Sequence, residues 1–152
     1  SEGGAAESGD EPQDCLRDAH VSAGEFGHGE GLLMAATVAV AGMLKRNGRT
    51  QRDFDIDESH EACAAQGLCT RRAWESEDYC RNRLGLDAPM GRIDPDKINL
   101  LGSSLATGHP FAATGARVIA TAAKQLAERG GGRALVSICT AGGMGVVAIV
   151  ER

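Results

Sequence analysis

His109 and Cys139 are the two side chains of this sequence best placed to do chemistry. His109 lies in the run Asn99 to Arg117, NLLGSSLATGHPFAATGAR. A short apolar strand, Lys97 to Leu101, is expected to pass through glycines and small hydroxyl residues into His109-Pro110. An Ala-rich helix follows, Ala112 to Arg129, which Pro110 can start because its missing N–H costs nothing in a first turn. A strand-to-helix turn of this kind offers backbone N–H groups and the positive end of a helix dipole, which suits an anion or a developing negative charge. Cys139 closes a buried-type strand in ALVSICTAGGMG, Ala134 to Gly145, and the glycine-rich turn behind it lets backbone approach a ligand closely. An imidazole with an ordinary pKa of about 6.5 holds or releases a proton near neutrality. A thiol, ordinarily at about 8.5, does the same once a nearby helix end or histidine lowers it.

Positioning these groups takes a series of alternating elements. From Cys15, LRDAHVSAG (Leu16 to Gly24) alternates weakly, as a first strand does. Leu32 to Leu44 is an apolar helix nearly all round, which implies burial on several sides, and Asn47-Gly48 ends it through a left-handed cap. Phe54 and Ile56 alternate with Asp53, Asp55 and Asp57 as a second strand, which delivers His60 and Glu61 to its C-terminal end, where open α/β sheets place ligands. A helix then starts in EACAAQGLC and resumes after a break as RRAWESEDYCRNRL, with Trp74 and Tyr79 as anchors to the body. On the helix after His109, Ala112, Ala116, Ile119, Ala123 and Leu126 share the face expected to lie inward, with Arg117, Lys124 and Glu128 outward. Strands Ala134 to Ile138 and Val146 to Val150 complete the order βαβαβαββ. That order predicts an α/β fold with a mixed, mostly parallel five-stranded sheet, crossover helices and one late antiparallel strand.

Composition narrows the function. At 152 residues the chain is one domain with enough length to bury a core; Gly/Ser/Glu-rich residues 1–14 are expected to be loose, and 15–152 to form the domain. A net charge of −5 excludes a nucleic-acid partner, which needs a basic face to displace counterions. The longest apolar run, Gly31 to Leu44, is shorter than the roughly 20 residues of a membrane span. SEGGAAESGD is neither a signal nor a transit peptide. Five cysteines in no regular spacing fit reduced thiols in the cytoplasm or the mitochondrial matrix rather than a disulfide framework. His60, Cys63, Cys69 and Cys80 lack the paired spacing of a zinc knuckle, so no metal is expected. Gly24 to Gly31 reads as a loop, with His28 solvated.

Three motifs, in order, carry a resemblance. His60-Glu61-Ala62-Cys63-Ala64-Ala65-Gln66, Gly108-His109-Pro110 and Cys139-Thr140-Ala141-Gly142-Gly143-Met144-Gly145 together resemble the C-terminal half of the thiolase family, in the branch that serves fatty-acid β-oxidation complexes. The resemblance implies a thiolase-like unit, two copies of which make the family fold, in an oligomer. It implies an acyltransferase that cleaves 3-ketoacyl-CoA with CoA to acetyl-CoA and a shortened acyl-CoA. Coenzyme A is then a substrate and no cofactor is needed. In that scheme His109 activates a nucleophilic Cys, Cys139 moves the α-proton, and His60 orients a water in an oxyanion hole. Ala141 and Gly142 would donate N–H groups to the acyl-enzyme oxyanion, and Glu61, Ala62 and Cys63 would flank the substrate. The nucleophilic Cys belongs to the family's N-terminal half, which this sequence does not resemble, so a missing half or partner subunit is implied. The chain departs from the family at Ala35-Ala36, where a Gly-Pro is usual, and at Cys63, where a Phe is usual. Those departures leave open an alternative, a non-catalytic thiolase-like subunit or truncated remnant.

Overall fold

Two alternating runs near the end of the chain set the architecture. In β3 (Arg133–Thr140), Leu135 faces one core while Ala134, Val136 and Ile138 face another. In β4 (Met144–Glu151), Val147 and Ile149 oppose Ala148 and Val150 in the same way. A sheet apolar on both faces needs helices on both. The computed structural model, which describes residues 13–23, 29 and 31–152, supplies them. Helices α1 (Ala35–Arg46) and α2 (Ala64–Glu75) cover one face. The 16-residue α5 (Thr114–Arg129) covers the other. Residues 1–12 of the expected loose segment, and the loop around His28, lie outside the described residues.

β1 (Cys15–Ala23) and β3 each pair antiparallel with β4, and β2 (Ile56–Ser59) pairs parallel with β3. The sheet thus runs β1-β4-β3-β2. The α/β class and the mixed sheet are as expected, but the count is four rather than five and two of the three pairings are antiparallel. Residues 97–101 explain the missing strand. Asn99 takes φ +50° and Gly102 donates back to the Asn99 carbonyl at 2.8 Å, so the chain turns instead of staying extended. Only Ile98 keeps a strand contact, an isolated parallel bridge to Asp57.

α1 is buried on several sides, as its composition requires, and Gly48 at φ +61° ends it. Its start lies on β4: a Cβ on Gly145 would sit 2.5 Å from the Ala36 nitrogen and 2.6 Å from the Ala35 carbonyl carbon. The break in the second helical stretch falls at Ser76, whose Oγ caps α3 (Glu77–Asn82) by accepting the Tyr79 N–H at 3.2 Å, and not after Cys69, through which α2 runs unbroken. Trp74 and Tyr79 are anchors: the fully buried indole N–H donates to the Thr37 carbonyl, and the Tyr79 hydroxyl shares a proton with Thr37 Oγ1.

α5 begins two residues later than expected and with another face inward. Ala112, at φ +64°, cannot be helical, and Pro110 caps the preceding turn by accepting the Ala113 N–H. Thr114, Val118, Ala122, Gln125 and Leu126 are buried; Ala116 and Ile119 of the predicted inner face are exposed. The larger side chains Val118 and Leu126 gain more from burial than a row of alanines does, and they decide the rotation. An Ala-rich stripe is left facing outward, and Arg117 turns partly in. β2 departs from alternation too, since Asp57 and Glu58 are both buried. Glu58 reaches α5, where Gln125 Nε2 donates to its Oε1 at 2.7 Å.

Candidate active site

The C-terminal ends of the two parallel strands and the start of α5 converge. His60 leaves the end of β2 with its backbone N–H donating to the Ser137 carbonyl of β3 at 2.8 Å, which fixes it beside the sheet. His109 stands in the loop between the one-turn α4 (Ser104–Thr107) and α5. The two imidazoles meet with centroids 4.3 Å apart, tilted by 43°. Phe111 sets its edge against His109 at 5.0 Å. Cys139, one residue before the end of β3, shares with His109 a cavity of about 430 Å³, whose wall also includes Phe111, Ala112, Thr114 and Ala141. The imidazole and the thiol singled out from the sequence therefore open onto one space.

Each histidine is tethered through Nδ1 to a hydroxyl. His60 Nδ1 lies 2.6 Å from Ser104 Oγ, which also receives Arg117 Nη2 at 3.1 Å. His109 Nδ1 lies 2.6 Å from Thr114 Oγ1, in the first turn of α5. Burial, then the nearby His109 and Arg117, hold the His60 imidazole down to about 4, so it is neutral at physiological pH. Burial likewise pushes the Cys139 thiol up, against the backbone N–H groups of Cys139 and Ala62, which pull it down. Cys63 pushes it up further. The sequence led us to expect a thiol lowered by a helix end or a histidine, and the direction is the reverse: Cys139 is held as S–H. Burial also raises Glu58, while the Gln125 hydrogen bond and the Arg117 charge oppose the rise.

The remaining candidates are spread around this centre. Ala141 lines the cavity; Gly142 follows it in the exposed β3–β4 turn at φ +79°. The Ala62 N–H faces the Cys139 sulfur, and Cys63 is the exposed N-cap of α2. Glu61 does not line the cavity; it belongs to a separate cleft of about 210 Å³ with Ser59, Asn99 and Leu105. Among the described residues no group of three or more His, Cys, Asp or Glu side chains gathers as a metal site, and Cys80 is spent on the Ala73 and Trp74 carbonyls. No helix among them is long and apolar enough to cross a membrane. Ser104, Thr114 and Arg117 were not singled out from the sequence. For Thr114 the usable signal was the spacing Thr114, Val118, Ala122, a buried face in steps of four that competes with the alanine register.

Residues 17–152 match the sequence profile described as "Thiolase, C-terminal domain". A 3-ketoacyl-CoA thiolase of Shewanella sp. (strain W3-18-1) is 46% identical over 120 residues, 79% of this chain and 28% of that protein. The 3-ketoacyl-CoA thiolase of Aeromonas salmonicida (strain A449) is 42% identical over 150 residues, covering 99% of this chain and 34% of its own. Among solved structures, the acetyl-CoA acetyltransferase of Bacillus anthracis superposes with a TM-score of 0.75 at 28% identity, over 99% of this chain and 33% of that one. The chain thus spans about a third of the length of the proteins it matches. With its three motifs gathered at one end of a matching α/β unit, this chain belongs to the thiolase family and carries that family's C-terminal domain.

Proposed function

We propose that the chain is the C-terminal half of an acyltransferase that cleaves 3-ketoacyl-CoA with CoA, working with a nucleophilic Cys carried by an N-terminal half or a partner subunit. His109 takes the proton of that thiol; the thiolate attacks the 3-keto carbon. The carbon–carbon bond breaks with its electron pair going to the α-carbon, and Cys139 gives that carbon its S–H proton, releasing acetyl-CoA. CoA then returns a proton to the Cys139 thiolate and attacks the acyl-Cys, whose sulfur leaves and takes its own proton back from His109, so that the shortened acyl-CoA departs and both thiols are restored. A thiol kept protonated by burial suits the donor's part in this cycle. His60, neutral and enclosed, orients a water or donates to an oxyanion; Ala141 and Gly142 offer backbone donors to the other. CoA serves as substrate and no cofactor is invoked. The outward stripe Ala116, Ile119, Ala120 and Ala127 of α5 lets a neighbouring helix approach closely and is the face assigned to the missing half, within an oligomer. Five cysteines without a disulfide, three of them exposed, support the cytoplasm or the mitochondrial matrix and a place in β-oxidation.

The observation that carries this reading is the single cavity shared by His109 and Cys139. Its test is acetoacetyl-CoA thiolysis by the chain alone and after addition of an N-terminal thiolase half. Turnover only in the mixture is expected, and robust turnover by the chain alone would refute the missing nucleophile. One feature favours a second reading, a non-catalytic thiolase-like subunit: a small, exposed Cys63 stands at the start of α2 where the resemblance calls for a Phe. A mixture that forms a stable complex and still lacks turnover would establish it.

A further inference from the structure

Two buried hydroxyls decide which nitrogen of each histidine carries the proton. Ser104, 7% exposed, places Oγ between His60 Nδ1 and Arg117 Nη2. A guanidinium only donates, so Ser104 accepts from Arg117. Its own proton then has one acceptor among the described residues, His60 Nδ1. Leaving a buried hydroxyl proton unpaired is costly, so Nδ1 accepts and the neutral His60 ring carries its proton on Nε2.

Thr114, 3% exposed, faces the opposite demand. Its Oγ1 lies 2.6 Å from His109 Nδ1 and donates to the Pro110 carbonyl at 3.2 Å. A carbonyl only accepts, and Thr114 has one proton. With that proton on Pro110, the contact to His109 is a hydrogen bond only if the ring brings the proton on Nδ1. His109 Nε2 is then left with its lone pair and, among the described residues, no partner.

We propose that Ser104 and Thr114 are positioning residues that lock the stacked histidines in opposite neutral tautomers, His60 as an Nε2–H donor and His109 as an Nε2 base. The tautomers rest on the hydrogen-bond geometry alone; what they do rests on the acyl-transfer reading. There, His109 Nε2 takes the thiol proton as the S–H bond breaks, while His60 Nε2–H is a fixed donor that loses no proton.

The experiment is a long-range proton–nitrogen spectrum of the isotope-labelled chain at about pH 9, above the ordinary imidazole range. The two rings are assigned with His60→Gln and His109→Gln. Expected are a protonated Nε2 and an acceptor-type Nδ1 for His60 and the reverse for His109, each biased about tenfold or more. Thr114→Val removes the hydroxyl at nearly constant shape and should abolish the His109 bias, and Thr114→Ser should restore it. Should Thr114→Val fail to fold, the unsubstituted chain still decides. Nδ1–H on His60, or Nε2–H as the main form of His109, overturns the proposal. No substrate is present, so a failure of thiolysis and a failure of this assignment are read separately.

Discussion

Replacing Asp57 with Asn should stabilise the chain, and only where the carboxyl would otherwise be charged. Asp57 is 4% exposed on β2, and its Oδ1 has no hydrogen-bond partner among the described residues. Burial raises its pKa from 3.8 to about 7, against the pull of Lys97, whose ammonium is itself committed to the Phe54 carbonyl. In the unfolded chain the group titrates near 3.8, so the folded state holds the extra proton between about pH 4 and pH 7. Stability from this group is therefore full below about pH 4 and is lost as pH rises through about 7. At 1.36 kcal/mol per pKa unit the loss is about 4 kcal/mol. The amide of Asp57→Asn cannot ionise, so the stability difference between variant and parent should grow in the variant's favour by up to about 4 kcal/mol from about pH 4 to about pH 8. Because His60, lowered to about 4, loses stability in the opposite sense as pH falls below about 6.5, only this difference isolates Asp57. Urea unfolding of both chains at the two pH values measures it. An equal effect at both, or a variant that loses ground to the parent as pH rises, would refute the buried-carboxylate argument.

Two further substitutions probe the backbone near the site. Ala112→Gly should relieve the left-handed strain at φ +64°. After the entropy that Gly adds to the unfolded chain, a gain of about 0.5–1 kcal/mol remains, or roughly 2 °C in Tm by thermal circular dichroism; a loss would mean the Cβ makes a contact worth more than the strain. Gly145→Ala would press a methyl within 2.5 Å of α1 backbone on Ala36, and should cost about 3 kcal/mol in urea; unchanged stability would show that α1 can move off β4.

Local chemistry was the part of this chain most legible before folding. His60, His109 and Cys139 are each punctuated by short turn motifs, and the sheet brings the three turns to one end. The alternation of β3 and β4 and the all-round apolar α1 were equally plain. Glu58 and Asp57 were hidden because charged residues are seldom fully buried, and a strand covered on both faces overrides the alternation that put the aspartates outside. α5 misled through its alanines, which are small enough to pack inside or to lie against a partner, so the register was set by Val118, Leu126 and the hydrogen-bonding Thr114 and Gln125. Ser104 was one hydroxyl among several in a turn. Nothing local marked it as the group that holds His60.

The most direct measurement is the rate at which iodoacetamide alkylates Cys139, resolved by mass spectrometry across pH, with and without acetyl-CoA. Exposed Cys15 and Cys69 serve as internal references. The account predicts a Cys139 rate that climbs only above the ordinary thiol range of about pH 8.5, falls when acetyl-CoA fills the cavity, and leaves the reference rates alone. A thiol that reacts freely at neutral pH, or one that acetyl-CoA does not protect, would contradict it.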